Sequence, residues 1–97
     1  MAYEPTLISD RTEGGIRTLT VQTSRAVCAQ AIRIELEGDI VRSVEFAGGC
    51  HGNTQGVAAL SKGMKVSEVI SRIEGLNCHG KGTSCPDQLA KALKLAL

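Results

Sequence analysis

The stretch CAQAIRIELEGDIVRSVEF, from Cys28 to Phe46, decides the predicted fold. Its first half alternates, with isoleucine or leucine at every second position from 32 to 36 and charged residues between them. Its second half, residues 40–46, is predicted to run back antiparallel to the first half, with Val44 and Phe46 on one face of the extended chain and Glu45 on the other. Alternating runs joined by turn residues, here Glu37-Gly38-Asp39, are typical of an antiparallel β-hairpin.

Segments on both sides of this hairpin predict a small α+β domain. Residues 1–15 show no apolar period, which leaves a flexible lead-in or an edge strand as alternatives, whereas residues 16–23 predict a strand. Helices are predicted over residues 54–62, over residues 66–73 and from Pro86 onward, with Cys85 or Ser84 as the N-cap of the last one. Strands followed by helices predict an antiparallel sheet with about three helices on one face.

Length and composition limit the functions that are open to the chain. Its 97 residues allow one compact domain, and 11 basic against 10 acidic residues leave a net charge of +1 with only two aromatic side chains. A nucleic-acid binder would show a basic excess or stacking aromatics, so no nucleic-acid partner is expected. A run of about 18 apolar residues and a secretory signal are both missing, so we expect no membrane partner and a cytoplasmic location, where free thiols persist.

Four cysteines, Cys28, Cys50, Cys78 and Cys85, carry the chemistry that the sequence offers. No CxxC pair is present, but each cysteine is predicted at the end of a strand or helix or in a loop, where elements converge. Seven of the 11 glycines fall within residues 48–56 or 75–82, around the middle two cysteines, and glycine allows close backbone approach. The pattern favours a shared metal or redox centre with Zn²⁺ or an Fe–S cluster, against ordinary turns with incidental cysteines.

Several neighbouring residues are secondary candidates. His51 and His79 each follow a cysteine, so they are either hydrogen-bonding neighbours of a metal ligand or solvent-facing loop residues. Cys85 is predicted at a helix start, where unpaired N–H groups favour the thiolate, and together with Cys78 it is the candidate redox pair. Asp87 either orients a neighbouring group or simply suits the helix dipole.

The string Thr83-Ser84-Cys85-Pro86-Asp87 resembles the motif that names the TSCPD domain family. The resemblance extends over Gly48-Gly49-Cys50-x-Gly52-Asn53 and Gly75-Leu76-x-Cys78, and thus over about residues 27–93. It implies that residues 1–97 are a single TSCPD domain, in which residues 1–25 are an unmatched flexible or edge-strand segment. Such domains stand alone or form the C-terminal module of cobalamin-dependent (class II) ribonucleotide reductases.

A second resemblance concerns the layout of the IscU/NifU-type iron–sulfur scaffolds. Those proteins place cysteines before a hairpin, in a Gly-Cys turn after it, and at the start of the last helix, as Cys28, Cys50 and Cys85 are placed in this sequence. The scaffolds carry an aspartate where this chain has Gln30 and a histidine where it has Ser84, a difference that argues against transient cluster assembly and release. Cys78 would be an additional thiolate.

Three functions follow from these observations. The first is a cysteine-based metal-binding module. The second, implied by the family resemblance, is a thiol–disulfide accessory of ribonucleotide reduction and hence of deoxyribonucleotide supply, with a ribonucleotide reductase or an iron–sulfur or redox protein as partner. The third is a metal-free interaction domain. The chain is too short to be a reductase, so adenosylcobalamin would enter only through a larger reductase partner, and both monomer and homodimer remain open.

Overall fold

A computed structural model describes residues 4–24, 27, 29–48, 51–76 and 82–96 of the chain. Four strands form one antiparallel sheet in the order β1-β2-β3-β4. They are β1 (Thr6–Glu13), β2 (Ile16–Gln22), β3 (Ala29–Glu37) and β4 (Ile40–Gly48). The predicted hairpin is confirmed as β3 and β4, and the strand predicted over residues 16–23 is confirmed as β2.

A glycine pair joins the first two strands. Gly14 and Gly15 both take positive φ, at +56° and +82°, and Glu13 pairs with Ile16 across the two-residue loop. A loop with two positive-φ residues matches the twist of the flanking strands, and glycine is favoured there because it has no Cβ. Of the two alternatives for the N-terminal segment, the structure selects the edge strand.

One face of the sheet carries the hydrophobic core. The extra residue Arg42 interrupts the pairing of β4 with β3 and forms a bulge. This bulge shifts the alternation of β4, so that Val41 and Val44 both face the core, whereas the sequence pattern indicated only Val44 and Phe46. The buried strand residues are Leu19, Val21, Ile32, Ile34, Leu36, Val41 and Val44.

The helices follow the sheet in sequence and pack on its core face. The described residues contain α1 (His51–Ser61), α2 (Val66–Ile73) and α3 (Cys85–Lys94). The bounds of α2 are those predicted, while α1 begins three residues earlier than predicted. Side chains from α2 and α3 join the buried core, and partly buried residues of α1 pack against it. The predicted α+β class, with helices on one face of a small antiparallel sheet, is confirmed.

The start of α3 differs by one residue from the prediction. Ser84 is the N-cap, since its hydroxyl accepts a hydrogen bond from the backbone N–H of Asp87 at 3.1 Å. The alternative that Cys85 is the N-cap is wrong, because Cys85 is already the first helical residue and a hydroxyl oxygen is the better acceptor. Pro86 fits in this first turn, where its missing N–H costs no helical hydrogen bond.

The opposite face of the sheet carries half-buried and exposed polar side chains, among them Thr18, Thr20 and Arg33. This division is typical of an antiparallel sheet that packs helices on one side only. Within the described ranges, no helix has the length and apolar character needed to span a bilayer.

Candidate functional site

The structure describes one of the four candidate cysteines. Cys85 is the first residue of α3, is 7% exposed and is a free thiol. Cys28, Cys50, Cys78 and His79 lie outside the described residues, as does the side chain of His51. Among the residues that are described, no three histidine, cysteine or acidic side chains are grouped so that they could hold a metal ion. The predicted set of four thiolates therefore stays a prediction.

Ser84 ties the start of α3 to the end of the α2–α3 connection. Its hydroxyl donates a hydrogen bond to the backbone carbonyl of Leu76 at 2.7 Å while it accepts one from the backbone N–H of Asp87. A single hydroxyl thus caps the helix and fixes a chain segment eight residues earlier. The residue directly after it is Cys85, so this anchoring also fixes the backbone from which the thiol projects.

Asp87 is the centre of a buried polar cluster at the same helix start. Its side chain is 3% exposed and accepts hydrogen bonds from the backbone N–H of Gly75 and the hydroxyl of Thr83, both at 2.6 Å. The Nζ atom of Lys91 lies 3.0 Å from Oδ2 of the same carboxylate. Burial raises the pKa of Asp87, but Thr83, Gly75 and Lys91 together outweigh it and hold the pKa below its ordinary value.

Gln88 connects this cluster to the β2–β3 connection. Its side chain is fully buried, and its amide nitrogen donates to the hydroxyl of Thr83 at 3.1 Å. Its amide oxygen accepts a hydrogen bond from the backbone N–H of Ser24 at 2.9 Å. In the described part of the chain, every buried side-chain nitrogen and oxygen has a partner, so the network is fully satisfied.

The ends of the chain segments that contain the undescribed cysteines are also bonded to one another. Thr23 donates its hydroxyl to the backbone carbonyl of Ala29, which joins the two ends of the β2–β3 connection. Ala29 is the register partner of Gly48, the last residue of β4. The first residues of β3, the end of β4 and the start of α3 are therefore linked through strand pairing and the contacts of Gln88.

An open cleft of about 410 Å³ lies between β4 and α1. Glu45 is the one charged side chain among its described lining residues, and Gly48 marks its end toward the start of β3. The network around Asp87 and Gln88 contributes none of those lining residues, so the cleft and the network are separate features. The lining consists of Val44, Glu45, Phe46, Gly48, Thr54, Gln55 and Ala58.

Two members of the network, Thr83 and Gln88, are not predicted as site residues from the sequence, and a third, Asp87, has a larger role than its position predicts. Thr83 is named there only as part of the family string, Gln88 is not named, and Asp87 is otherwise considered only as a dipole partner or an orienting group. The available signal was the polar run from Thr83 to Gln88 directly before the apolar stripe of α3. Polar residues at a helix start are normally solvated, so the pattern alone did not indicate that these side chains are buried.

Comparison with known proteins identifies the chain by its family. No curated protein and no solved structure matches it. The layout shared with the iron–sulfur scaffolds consequently has no structural neighbour to support it. The model of the TSCPD domain matches residues 2–97, which extends the resemblance beyond residues 27–93 and includes strand β1. The chain therefore belongs to the TSCPD domain family.

Proposed function

We propose that this chain is a cysteine-based metal-binding module. Its ligands would be the thiolates of Cys28, Cys50, Cys78 and Cys85, and the bound group would be Zn²⁺ or a small Fe–S cluster. The observation that carries the proposal is the hydrogen-bonded network of Ser24, Gly75, Leu76, Thr83, Ser84, Asp87 and Gln88, which ties together the segments from which Cys28, Cys78 and Cys85 extend.

The pairing of β3 with β4 supports bringing Cys28 and Cys50 to one end of the sheet. Cys28 directly precedes Ala29, and Cys50 comes two residues after Gly48. Ala29 and Gly48 are register partners, and consecutive Cα atoms lie about 3.8 Å apart. Each cysteine is therefore held by the covalent chain within one or two residues of the same paired position.

The anchoring of Leu76 supports an approach of Cys78 to Cys85. Cys78 comes two residues after Leu76, whose carbonyl is bonded by the residue directly before Cys85. The bond between Gly75 and Asp87 adds a second tie, at 2.6 Å, between the same two segments. Gly75 and Leu76, which precede Cys78 in the chain, are therefore bonded to the start of α3.

The chemistry of the donor set fits the proposed group. Four thiolates and no carboxylate favour Zn²⁺ or an Fe–S cluster over magnesium or calcium, which bind oxygen ligands. When bound, zinc would cross-link four segments of the fold, and a cluster would exchange electrons with a partner. The chain itself contributes the start of α3, whose first residue is Cys85.

Metal content decides this proposal directly. Protein purified under anaerobic conditions is analysed for zinc, iron and acid-labile sulfide, and its absorption spectrum is recorded. We expect either one zinc per chain without visible absorption or iron and sulfide with charge-transfer bands. Each of the four single Cys→Ser variants should lose bound metal or release it to a chelator at least about tenfold faster.

A matched control separates ligation from general damage. Ala59→Ser introduces the same hydroxyl group on the exposed face of α1 and should leave metal content unchanged. Metal-free protein with four reactive thiols and an unchanged circular dichroism spectrum would overturn the proposal. It would leave a thiol function or a metal-free interaction domain.

A second function is favoured by the same tie between Leu76 and Ser84. It is thiol–disulfide exchange by Cys78 and Cys85, with a ribonucleotide reductase as the partner that the family relation suggests. The Cys85 thiolate would attack a disulfide of the partner and release one partner thiolate, forming a mixed disulfide. Cys78 would then displace the second partner sulfur, so that the partner gains two electrons and two protons and this chain becomes the disulfide.

This alternative is tested by measuring how far the chain reduces the disulfide of a ribonucleotide reductase when the two proteins are mixed. With the chain supplied as the stoichiometric dithiol, Cys85→Ser should abolish reduction of the partner, and Cys78→Ser should stop it at the mixed disulfide. Cys28→Ser is the matched control and should retain reduction. Equal reduction of the partner by all three variants would exclude the exchange function. The reaction requires a reducing compartment, in agreement with the proposed cytoplasmic location.

A further inference from the structure

We propose that Gln88 is a positioning residue that holds the segment carrying Cys28 against the first turn of α3, where Cys85 lies. The inference rests on the proposed function insofar as the two thiols serve one centre. It adds a residue outside the cysteine set, and it defines a coupling between the β2–β3 connection and α3 that can be measured without metal.

The orientation of the Gln88 amide is fixed by its neighbours. The hydroxyl of Thr83 donates its proton to the Asp87 carboxylate at 2.6 Å, so its oxygen can only accept from Gln88. The amide nitrogen of Gln88 fills that role at 3.1 Å, which turns its amide oxygen toward the N–H of Ser24 at 2.9 Å. The amide nitrogen therefore faces an acceptor and the amide oxygen faces a donor.

Ser24 transmits this contact to the segment around Cys28. The backbone N–H of Val27 donates to the carbonyl of Ser24 at 3.3 Å, so Val27 is hydrogen-bonded directly to Ser24. Cys28 follows Val27 and precedes Ala29, whose carbonyl is bonded by the Thr23 hydroxyl. The residues on both sides of Cys28 are thus tied to the pair Thr23-Ser24, which Gln88 attaches to α3.

This geometry predicts that glutamate cannot replace Gln88. Gln88→Glu keeps the size of the side chain but exchanges the donor group for an acceptor. The carboxylate would face an oxygen of Thr83 that has no proton to give, and it would lie near the buried charge of Asp87. Gln88→Met provides a second test, because it keeps similar volume and removes the hydrogen bonds to Thr83 and Ser24 without adding charge.

The test measures how readily Cys28 and Cys85 form a disulfide in the folded chain. The full-length chain carries Cys50→Ser and Cys78→Ser, and it is equilibrated with glutathione buffers in the presence of a metal chelator. Oxidised glutathione takes up the electrons: the two thiols and one oxidised glutathione give one protein disulfide and two reduced glutathione molecules. The ratio of the two protein forms, measured by mass spectrometry, gives the effective concentration of one thiol at the other.

We expect Gln88→Glu and Gln88→Met to lower this effective concentration at least about tenfold. Gln55→Glu makes the same chemical change on the exposed face of α1 and should have no effect. Val41→Ala creates a cavity at the far end of β4 and controls for lost stability, because it should destabilise the chain without lowering the effective concentration.

Two results would overturn the inference. One is an effective concentration in the parent chain no higher than that measured in denaturant. The other is an unchanged value in both Gln88 variants. Neither result depends on metal, so a chain that binds metal normally can fail this test. Conversely, a chain that binds no metal can pass it, which separates this inference from the proposed function.

Discussion

The side-chain oxygen of Gln88 accepts a hydrogen bond from the backbone N–H of Ser24, although 64 residues separate them in the chain. The contact joins the loop after β2 to the first turn of the last helix. Because both groups are buried, loss of either partner would remove a hydrogen bond from the interior of the chain. A local interaction within one element could not connect the segments around Cys28 and Cys85 in this way.

Asp87→Asn should destabilise the folded chain by about 2–4 kcal/mol. The carboxylate accepts from Gly75 on one oxygen and from Thr83 and Lys91 on the other. In asparagine, an NH2 group replaces one of these oxygens, so it would face a group that is itself a hydrogen-bond donor. The measurement is urea denaturation at neutral pH. Asp39→Asn, in the exposed turn between β3 and β4, is the matched control and should change the free energy of unfolding little. Equal effects of the two substitutions would contradict a structural role for Asp87.

Ser84→Ala should cost about 1 kcal/mol through loss of the helix cap and should also release Leu76. We expect the backbone N–H of Asp87, which the Ser84 hydroxyl binds, to exchange with deuterated solvent markedly faster. Ser71→Ala is the control, because that hydroxyl bonds a carbonyl on the exposed face of α2 and links no distant segments. Unchanged exchange at Asp87 in the Ser84 variant would show that other contacts hold the start of α3.

Most of the fold could be predicted because its signals are local. The alternation between Cys28 and Phe46 and the helical spacing of α2 are periodic patterns, and a buried face needs such a pattern wherever it occurs. The bulge at Arg42 was not predicted, because an extra residue in one strand becomes visible only when the register of its partner is known. The pair Gly14-Gly15 likewise acquires its meaning from the pairing of Glu13 with Ile16.

The buried network could not be predicted for a different reason. Asp87 bonds Gly75, which lies 12 residues earlier in the chain. Gln88 bonds Ser24, which lies 64 residues earlier, in the connection that follows β2. A polar residue at a helix start gives no local sign of whether a distant backbone N–H will reach it. The candidate cysteines were found from residue type and context alone, and the function assigned to them rests on the metal analysis proposed above.

Substitutions at two glycines should change stability in opposite directions. Gly15 has a φ of +82°, so Gly15→Ala should destabilise the chain by about 1–2 kcal/mol. Gly56 lies in the exposed face of α1 with open space around an added Cβ, so Gly56→Ala should stabilise it by about 0.5–1 kcal/mol. Thermal and urea unfolding of both variants measure the difference. A stabilising Gly15→Ala would be incompatible with the turn described here.

The pair Asp10–Arg17 should make stability depend on pH in the acidic range. Arg17 donates to both carboxylate oxygens of Asp10, at 2.9 and 2.6 Å, and this hydrogen bonding lowers the pKa of Asp10. A carboxyl group with a lowered pKa in the folded chain stabilises it fully above the unfolded value of about 4, and the contribution is lost as pH falls through the lowered pKa. Asp10→Asn should therefore lower the melting temperature at pH 7, and its difference from the parent should shrink below about pH 4.

Arg17→Met gives the comparison that identifies the cause of this pH dependence. The same guanidinium donates to the carbonyl of Ala96 at 2.7 Å, and that hydrogen bond does not depend on the ionisation of Asp10. Arg17→Met should thus remain less stable than the parent even at low pH, because the segment that follows α3 loses its hydrogen bond to β2. Melting curves of the parent and both variants across the acidic range provide the measurement. A difference between Asp10→Asn and the parent that stays constant down to about pH 2.5 would show that the ion pair is not the origin.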